Sequence, residues 1–316
     1  MTGPLRVVFL GNDPWSVPPL EALAASEHRP VLVVTRVPKP AGRGSKLTPT
    51  AVAGAARRLD LPLSEVETVK RDAGFEALAE ARPDVLVVVA YGEILPDAVL
   101  GLPAVAPVNL HFSLLPALRG ASPVQHALLL GLERTGVTTM VMDAGLDTGP
   151  VLLQRGTEVL AGEDAGSLGE RLAAIGGDLL VETQDGLAAG TLTGRPQEGE
   201  PTFAPKLKAG DRWLDWSEPA GALVRRVRAL APEPAASTRF RGDVLKVFRA
   251  SELGGPAPVA PGAVAVVGND GPVVAAGEGL VRLDEVAPAG RKRMSGADFA
   301  RGFRPERGER LGDGPA

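Results

Sequence analysis

The sequence has 316 residues, no cysteine and a formal net charge of −4. Without cysteine, it can form no disulfide, no thiolate nucleophile and no cysteine-ligated metal site. Its three histidines show no metal-ligand spacing with nearby carboxylates. No apolar run approaches the ~18 residues needed to span a bilayer, and the N-terminus lacks the basic start and long apolar core of a signal peptide. These features predict a cytoplasmic protein with no metal and no membrane partner.

Charge is unevenly distributed along the chain. Residues 206–316 contain 18 Lys and Arg against 14 Asp and Glu, a net charge of +4, whereas residues 1–205 carry a net charge of −8. A basic C-terminal third suggests contact with an anionic partner. A solvated surface would give the same counts, so both interpretations stay open at this point.

Strands and helices alternate over the first 189 residues. Apolar, β-branched runs predict strands at 6–10, 30–37, 84–90, 107–111 and 136–142. Helical patterns lie at 17–25, 48–59, 72–81 and 123–130 and from Ser167 to about 189, with Thr48 as one expected N-cap and a Ser167–Glu170 capping box as another. The alternation predicts an α/β domain, residues 1–189, with a mostly parallel, doubly wound sheet.

The pattern changes after this domain. Residues 190–210 are rich in Gly, Pro and Lys without periodicity, which predicts a linker. A helix is expected at 218–230. Short strands are expected at 236–240, 243–249, 262–267, 272–275 and 279–285, and a final helix begins at Ser295. This series predicts a small C-terminal β-barrel domain over residues 211–316.

Polar residues suited to catalysis lie between positions 109 and 149. Asn109 and His111 are two apart on a predicted strand, so their side chains share one face. The next strand ends in a turn that carries Asp143 and Asp147. If both strands belong to one parallel sheet, these side chains meet at its carboxyl edge.

An amide, an imidazole and a carboxylate around one small carbonyl suit direct acyl transfer. Asn109 can donate to an oxygen that becomes negative, and protonated His111 can do the same. Asp147 would favour the protonated imidazole or take a proton from an attacking amine. Ser113 is near in sequence, but no serine–base pair is evident.

A basic stretch follows the second predicted strand. Arg36, Lys39, Arg43 and Lys46 lie among prolines and glycines with little apolar surface to bury. A flexible basic loop near a sheet's carboxyl edge can contact phosphates. A mobile, solvated loop is the alternative on this stretch alone.

Several motifs resemble those of the 10-formyltetrahydrofolate-dependent formyltransferases. They are Asn-x-His at 109–111, Ser-Leu-Leu-Pro-x-x-Arg-Gly-Ala-x-Pro at 113–123 and Asp-x-Gly-Leu-Asp-Thr-Gly at 143–149. The basic loop at 40–47, Thr-Phe-Ala-Pro-Lys-Leu at 202–207 and Arg-Lys-Arg-Met at 291–294 narrow the resemblance to the methionyl-tRNA formyltransferases. It covers roughly residues 5–305. Leu118 departs from it, because an aromatic residue is usual before Arg-Gly.

The resemblance implies a reaction and a set of site residues. The formyl group would move from 10-formyltetrahydrofolate, a co-substrate, to the α-amino group of methionine on initiator tRNA. It places catalysis on Asn109, His111 and Asp147, and the C-terminal domain would be an OB-like barrel that contacts tRNA. Folate binding is expected at Ser113, Leu114, Leu115, Pro116, Tyr91 and Asp143. tRNA binding is expected at Arg36, Lys39, Arg43, Lys46, Lys206, Arg291, Lys292 and Arg293. The protein is expected to be a monomer and to bind no metal.

Two alternatives remain at this stage. A formyltransferase of the same superfamily acting on a small amine would share the 109–147 site but would not need the basic loop or a basic C-terminal domain. A non-catalytic RNA-binding protein on a degenerate enzyme fold is the second alternative, and the intact trio argues against it.

Overall fold

The structure, a computed structural model, describes residues 3–41 and 46–312. The chain divides into two compact units. The first comprises residues 1–123, 134–158 and 169–205, and the second comprises 124–133, 159–168 and 206–316. In the described ranges, no helix is both long enough and apolar enough to cross a bilayer.

A mostly parallel sheet forms the centre of the first unit, as the sequence predicts. Its strands lie in the order β5-β2-β1-β6-β7-β8-β9, and a short hairpin, β3–β4, stands apart. The strands are β1 (Val7–Gly11), β2 (Leu32–Arg36), β3 (Lys39–Ala41), β4 (Lys46–Thr48), β5 (Leu63–Val66), β6 (Val85–Val89), β7 (Ala106–His111), β8 (Arg134–Val141) and β9 (Val151–Glu158). β1 and β6 are buried at every position, as central parallel strands covered on both faces must be.

Five of the six helices match the predicted periods, the short helix at Asp97–Leu100 was not predicted, and two of the caps differ. The helices are α1 (Val17–Ala25), α2 (Ala51–Arg58), α3 (Asp72–Ala81), α4 (Asp97–Leu100), α5 (Pro123–Leu129) and α6 (Ala165–Ala189). Thr50, not Thr48, caps α2, because its hydroxyl accepts from the Ala53 N–H at 3.0 Å. Asp164 accepts from the Ser167 N–H at 2.8 Å and donates its own N–H to the Ser167 hydroxyl at 3.0 Å, so the reciprocal box lies one turn earlier than the predicted Ser167–Glu170 pair.

The direction of β8 overturns one step of the sequence argument. β7 pairs in parallel with β6, but β8 runs antiparallel to β7, and β9 antiparallel to β8. The loop that carries Asp147 therefore does not share a parallel carboxyl edge with His111. That part of the expectation is wrong, and Asp147 must be brought to the site by other contacts.

The second unit contains an antiparallel, barrel-like sheet, as predicted. Its strands follow the order β12-β13-β14-β11-β10-β16, with β15 beside β14. Hydrogen bonds between residues 262–264 and 308–311 connect the outer strands, and Trp216, Phe240 and Phe299 lie in the core. The elements are α7 (Ala220–Leu230), β10 (Ala236–Phe240), β11 (Asp243–Leu253), β12 (Val264–Gly268), β13 (Gly271–Ala275), β14 (Leu280–Pro288), β15 (Met294–Ser295), α8 (Gly296–Phe303) and β16 (Leu311–Gly312).

Candidate active site

Strand β7 presents Asn109 and His111 on one face of the first sheet. Met140 and Thr138 of β8 lie opposite them in register. Leu110, between them, points to the other face, where its side chain packs so closely on Gly176 that a Cβ there would lie 2.6 Å from it. The alternation of the strand therefore sends an amide and an imidazole to the same side.

The two ring nitrogens of His111 each face an oxygen atom. Its Nε2 lies 2.9 Å from the Leu118 carbonyl oxygen, and its Nδ1 lies 3.7 Å from the Asp147 carboxylate. A carbonyl oxygen only accepts, so Nε2 carries a hydrogen and donates it. Nδ1 is then the ring atom at which a proton is gained or lost, and a proton there would complete an ion pair with Asp147.

Asp147 is fixed by a neighbouring loop. Its carboxylate accepts the Gly120 N–H at 2.7 Å, and its own backbone adopts a left-handed φ of 52°, which aspartate tolerates better than most residues. Gly120 has a φ of 124°, and a Cβ there would lie 2.6 Å from the Ala204 carbonyl oxygen. Only glycine can present its N–H to Asp147 from this position.

The Asn109 amide faces no partner in the part of the chain that the structure describes. Within residues 3–41 and 46–312 its side chain makes no hydrogen bond, although Asn109 is half-buried at the strand. Its two N–H donors and its oxygen are therefore available to a bound molecule.

The turn after β7 is held by an internal hydrogen bond and by bonds to the neighbouring strands β8 and β9. The Ser113 hydroxyl donates to the Ala117 carbonyl at 2.5 Å. The Leu115 N–H donates to the Thr138 hydroxyl at 3.1 Å, and the Leu115 carbonyl accepts from Gln154 at 2.8 Å. Leu114 packs against Gly136, and Pro116 follows on the partly exposed side. These bonds give the predicted folate turn a defined shape.

The two other predicted folate residues have contrasting surroundings. Tyr91 is 2% exposed, and its hydroxyl has no hydrogen-bond partner in the described part of the chain. Burial, and then the charge of Glu93, raise the pKa of Tyr91 to about 12, so the phenol is neutral. Asp143 is exposed and accepts from the Gly145 N–H and the Thr148 hydroxyl, which closes the Asp147 loop on itself.

The predicted tRNA-binding residues fall into three groups. Arg43 lies outside the described residues, as do the side chains of Lys39 and Lys46. Arg36 points to Glu93, with 3.8 Å between guanidinium and carboxylate. Lys206, Arg291, Lys292 and Arg293 are exposed in the second unit, and Arg293 also contacts Glu285 at 2.8 Å and lies 4.0 Å from the centre of the Phe248 ring.

Sequence reasoning missed the groups that support the predicted catalytic residues. They are the Leu118 carbonyl, the Gly120 N–H, and the side chains of Arg119 and Gln197. Gly120 was the one available signal, because a glycine between bulkier residues often marks a backbone contact. In the described residues, no group of three His, Asp or Glu side chains could hold a metal ion.

Comparisons with known proteins agree along the whole chain. The family model described as formyl transferase matches residues 5–183, and the formyl transferase C-terminal domain matches residues 206–304. A methionyl-tRNA formyltransferase of Solibacter usitatus is 43% identical over 98% of this chain and 99% of its own length. A methionyl-tRNA formyltransferase of Thermus thermophilus is 45% identical over 98% of this chain and 99% of its own length.

Solved structures share the fold at low identity. Methionyl-tRNA formyltransferase from Clostridium thermocellum has a TM-score of 0.55 and 16% identity, over 79% of this chain and 94% of that one. HypX from Aquifex aeolicus in complex with tetrahydrofolic acid has a TM-score of 0.63 and 17% identity, over 95% of this chain. This chain spans 47% of HypX.

Proposed function

The chain belongs to the formyl transferase family, and we propose that it transfers the formyl group of 10-formyltetrahydrofolate to the α-amino group of methionine on initiator tRNA. The observation that carries the proposal is that the Asp147 carboxylate lies 3.7 Å from the ring of His111, which shares strand β7 with Asn109. The relatives named methionyl-tRNA formyltransferase, which match over almost their full length, support the choice of tRNA over a small amine.

The residues present fit a folate co-substrate. The open Asn109 amide and the buried Tyr91 hydroxyl without a partner are polar groups that a ligand would satisfy. The Ser113–Pro116 turn and Asp143 would complete the site. When bound, the folate supplies an activated formyl carbonyl. Asn109 donates an amide N–H to its oxygen, where negative charge develops, and such a donor contributes about 10²–10³ to kcat.

His111 and Asp147 handle the proton. The Leu118 carbonyl fixes the hydrogen on Nε2, so His111 acts through Nδ1. With Nδ1 protonated, the ring stabilises the developing oxyanion, and the Asp147 carboxylate stabilises the ring's positive charge. Asp147 then accepts the proton lost by the attacking amine, directly or through a water, and when the bond between the formyl carbon and N10 breaks, a proton returns to N10 so that tetrahydrofolate leaves neutral.

The tRNA would be recognised through charge on both units. The net charge of +4 over residues 206–316 and the exposed Arg291 and Lys292 suit phosphate contacts. In this proposal Arg43 and its loop contact the acceptor stem. A cytoplasmic monomer, divided into a catalytic domain (1–189), a linker (190–210) and a tRNA-binding domain (211–316), completes the proposal.

The first experiment is a formylation assay with 10-formyltetrahydrofolate and charged initiator tRNA. We expect formylmethionyl-tRNA to form, and Arg43→Ala to lose most of this activity at physiological salt while Arg43→Lys keeps more of it. Unchanged activity of Arg43→Ala would remove the role of the loop. Turnover of a small amine, with none of charged tRNA, would replace the proposed substrate.

A further inference from the structure

Gln197 makes four hydrogen bonds that surround the Asp147 loop. Its Nε2 donates to the Asp147 carbonyl at 2.8 Å and to the Gly149 carbonyl at 2.9 Å. Its Oε1 accepts from Arg119 Nε at 3.1 Å and Arg119 Nη2 at 2.7 Å. The amide orientation is unambiguous, because carbonyls only accept and a guanidinium only donates.

These bonds close a ring around the carboxylate. Gly120, next to Arg119 in the chain, donates its N–H to Asp147 Oδ2 at 2.7 Å. Asp147 is thus held at its carbonyl by Gln197 and at its carboxylate by Gly120, while the Arg119 side chain links the two holders. The ring joins three segments that are far apart in sequence, around residues 119, 147 and 197.

The Asp147 loop needs such support. Residues 143–146 are exposed, so little apolar burial holds the loop in place. Asp147 also adopts a φ of 52°, a left-handed conformation that persists when the surroundings enforce it. The preceding strand, β8, runs antiparallel to β7, so the sheet itself does not direct the carboxylate to His111.

We propose that Gln197 is a positioning residue, which with Arg119 holds Asp147 at its working distance from His111 in the formyl transfer proposed above. Gln197 touches no reacting atom. It acts through Asp147, and its loss therefore affects the rate only as far as Asp147 is displaced. A displacement of 1 Å at a catalytic group costs about 10²-fold in rate.

Gln197→Glu is the sharpest substitution. The carboxylate keeps the size of the side chain and its bonds to Arg119, but it replaces the two donors with an acceptor facing two carbonyls. We expect kcat to fall about 10²-fold, and Tm to fall as well, because two carbonyls lose their donors. Glu198→Gln changes the charge of the exposed neighbouring residue and serves as the matched control.

A double-mutant cycle separates positioning from general damage. Asp147→Asn and Gln197→Glu should each lower kcat, but the double variant should be about as slow as Asp147→Asn alone, because coupled residues are not additive. If the two losses multiply, to about 10⁴-fold where each alone gives about 10²-fold, Gln197 acts independently of Asp147 and the inference is wrong. Unchanged kcat in Gln197→Glu would overturn it as well.

A second measurement does not depend on the substrate. The NMR chemical shift of the His111 Nδ1 nitrogen, at one fixed pH, should change in Gln197→Glu in the same direction as in Asp147→Asn and stay unchanged in Glu198→Gln. An unchanged shift in Gln197→Glu would contradict the positioning role, even if the enzyme formylates tRNA. Failure of tRNA formylation with the expected shift would instead contradict the proposed function alone.

Discussion

At the residue scale, the side chains of the proposed catalytic trio differ in whether they also make a hydrogen bond within the fold. The Asn109 side chain makes no hydrogen bond in the described part of the chain, whereas the His111 ring satisfies the buried Leu118 carbonyl and the Asp147 carboxylate satisfies the Gly120 N–H. Catalysis and stability can therefore be separated by substitution at these positions.

We predict that Asn109→Ala, His111→Ala and Asp147→Asn each lower kcat by about 10²-fold or more. Asn109→Ala should leave Tm nearly unchanged, because no internal bond is lost. His111→Ala should also destabilise the fold by about 1–3 kcal/mol, since it leaves the Leu118 carbonyl unpaired. Formylation kinetics and thermal unfolding of the same variants test both statements. Near wild-type turnover of His111→Ala and Asp147→Asn would end the proposed mechanism.

The sequence identifies these residues but not their support. The two-residue period of a strand places Asn109 beside His111 without any knowledge of the fold. The Leu118 carbonyl is a backbone group, which leaves no trace in residue type, and Gly120 marks a close backbone approach without showing what its N–H contacts. Gln197 lies 50 residues from Asp147 and 78 from Arg119, and no local pattern predicts contacts at such separations.

At the element scale, apolar periodicity predicts position better than direction or capping. The 72–81 pattern gives α3 with its observed bounds, and the β-branched run at 84–90 contains β6. The predicted cap of α2 is wrong by two residues, because Thr48 and Thr50 have the same capping chemistry. Tertiary pairing places Thr48 in β4 and leaves Thr50 as the cap. β8 runs antiparallel because pairing direction depends on the path of the connection, which periodicity does not encode.

A surface ion pair in the second unit makes the stability of that unit depend on pH. Arg241 donates to both Glu309 oxygens, at 2.6 and 3.1 Å, and to the Phe303 carbonyl at 3.0 Å. The hydrogen bond from Arg241 lowers the pKa of Glu309. The charged form thus favours the folded state, so its contribution is full above the unfolded-state pKa of about 4.3 and is lost as pH falls through the folded-state value.

We predict that Glu309→Gln removes this acid-sensitive contribution. At neutral pH the loss in unfolding free energy should be small, on the order of 0.5–1 kcal/mol, because the Arg241 and Glu309 side chains are partly exposed and screened. Below the folded-state pKa of Glu309, which Arg241 holds under its ordinary value, the wild type and the variant should converge. Urea unfolding followed by the fluorescence of Trp213 and Trp216 measures it, with Arg241→Lys, which keeps the charge, as the milder control. If the difference in unfolding free energy between wild type and variant were the same at acid and neutral pH, the acid-sensitive contribution would not come from Glu309.

At the scale of the whole molecule, charge distribution matters more than total charge. The chain as a whole carries −4, which by itself would repel RNA, yet residues 206–316 carry +4. Composition could therefore suggest an anionic partner but could not say which. The full-length relatives decide the family, and salt dependence can test the partner.

Phosphate contacts release counterions, so each one adds about 0.7–0.9 to the slope of log K against log salt. We predict that Arg291→Ala and Lys292→Ala each weaken initiator tRNA binding and reduce this slope by about 1, with the KM for 10-formyltetrahydrofolate unchanged. Arg291→Lys, which keeps the charge, should keep the slope.

Because Arg293 also contacts Glu285 and Phe248, its substitution would mix binding with local stability and is the weaker test. A slope that is the same in wild type, Arg291→Ala and Lys292→Ala would mean that these exposed cations face solvent in the complex. The basic C-terminal third would then have to contact tRNA through other residues.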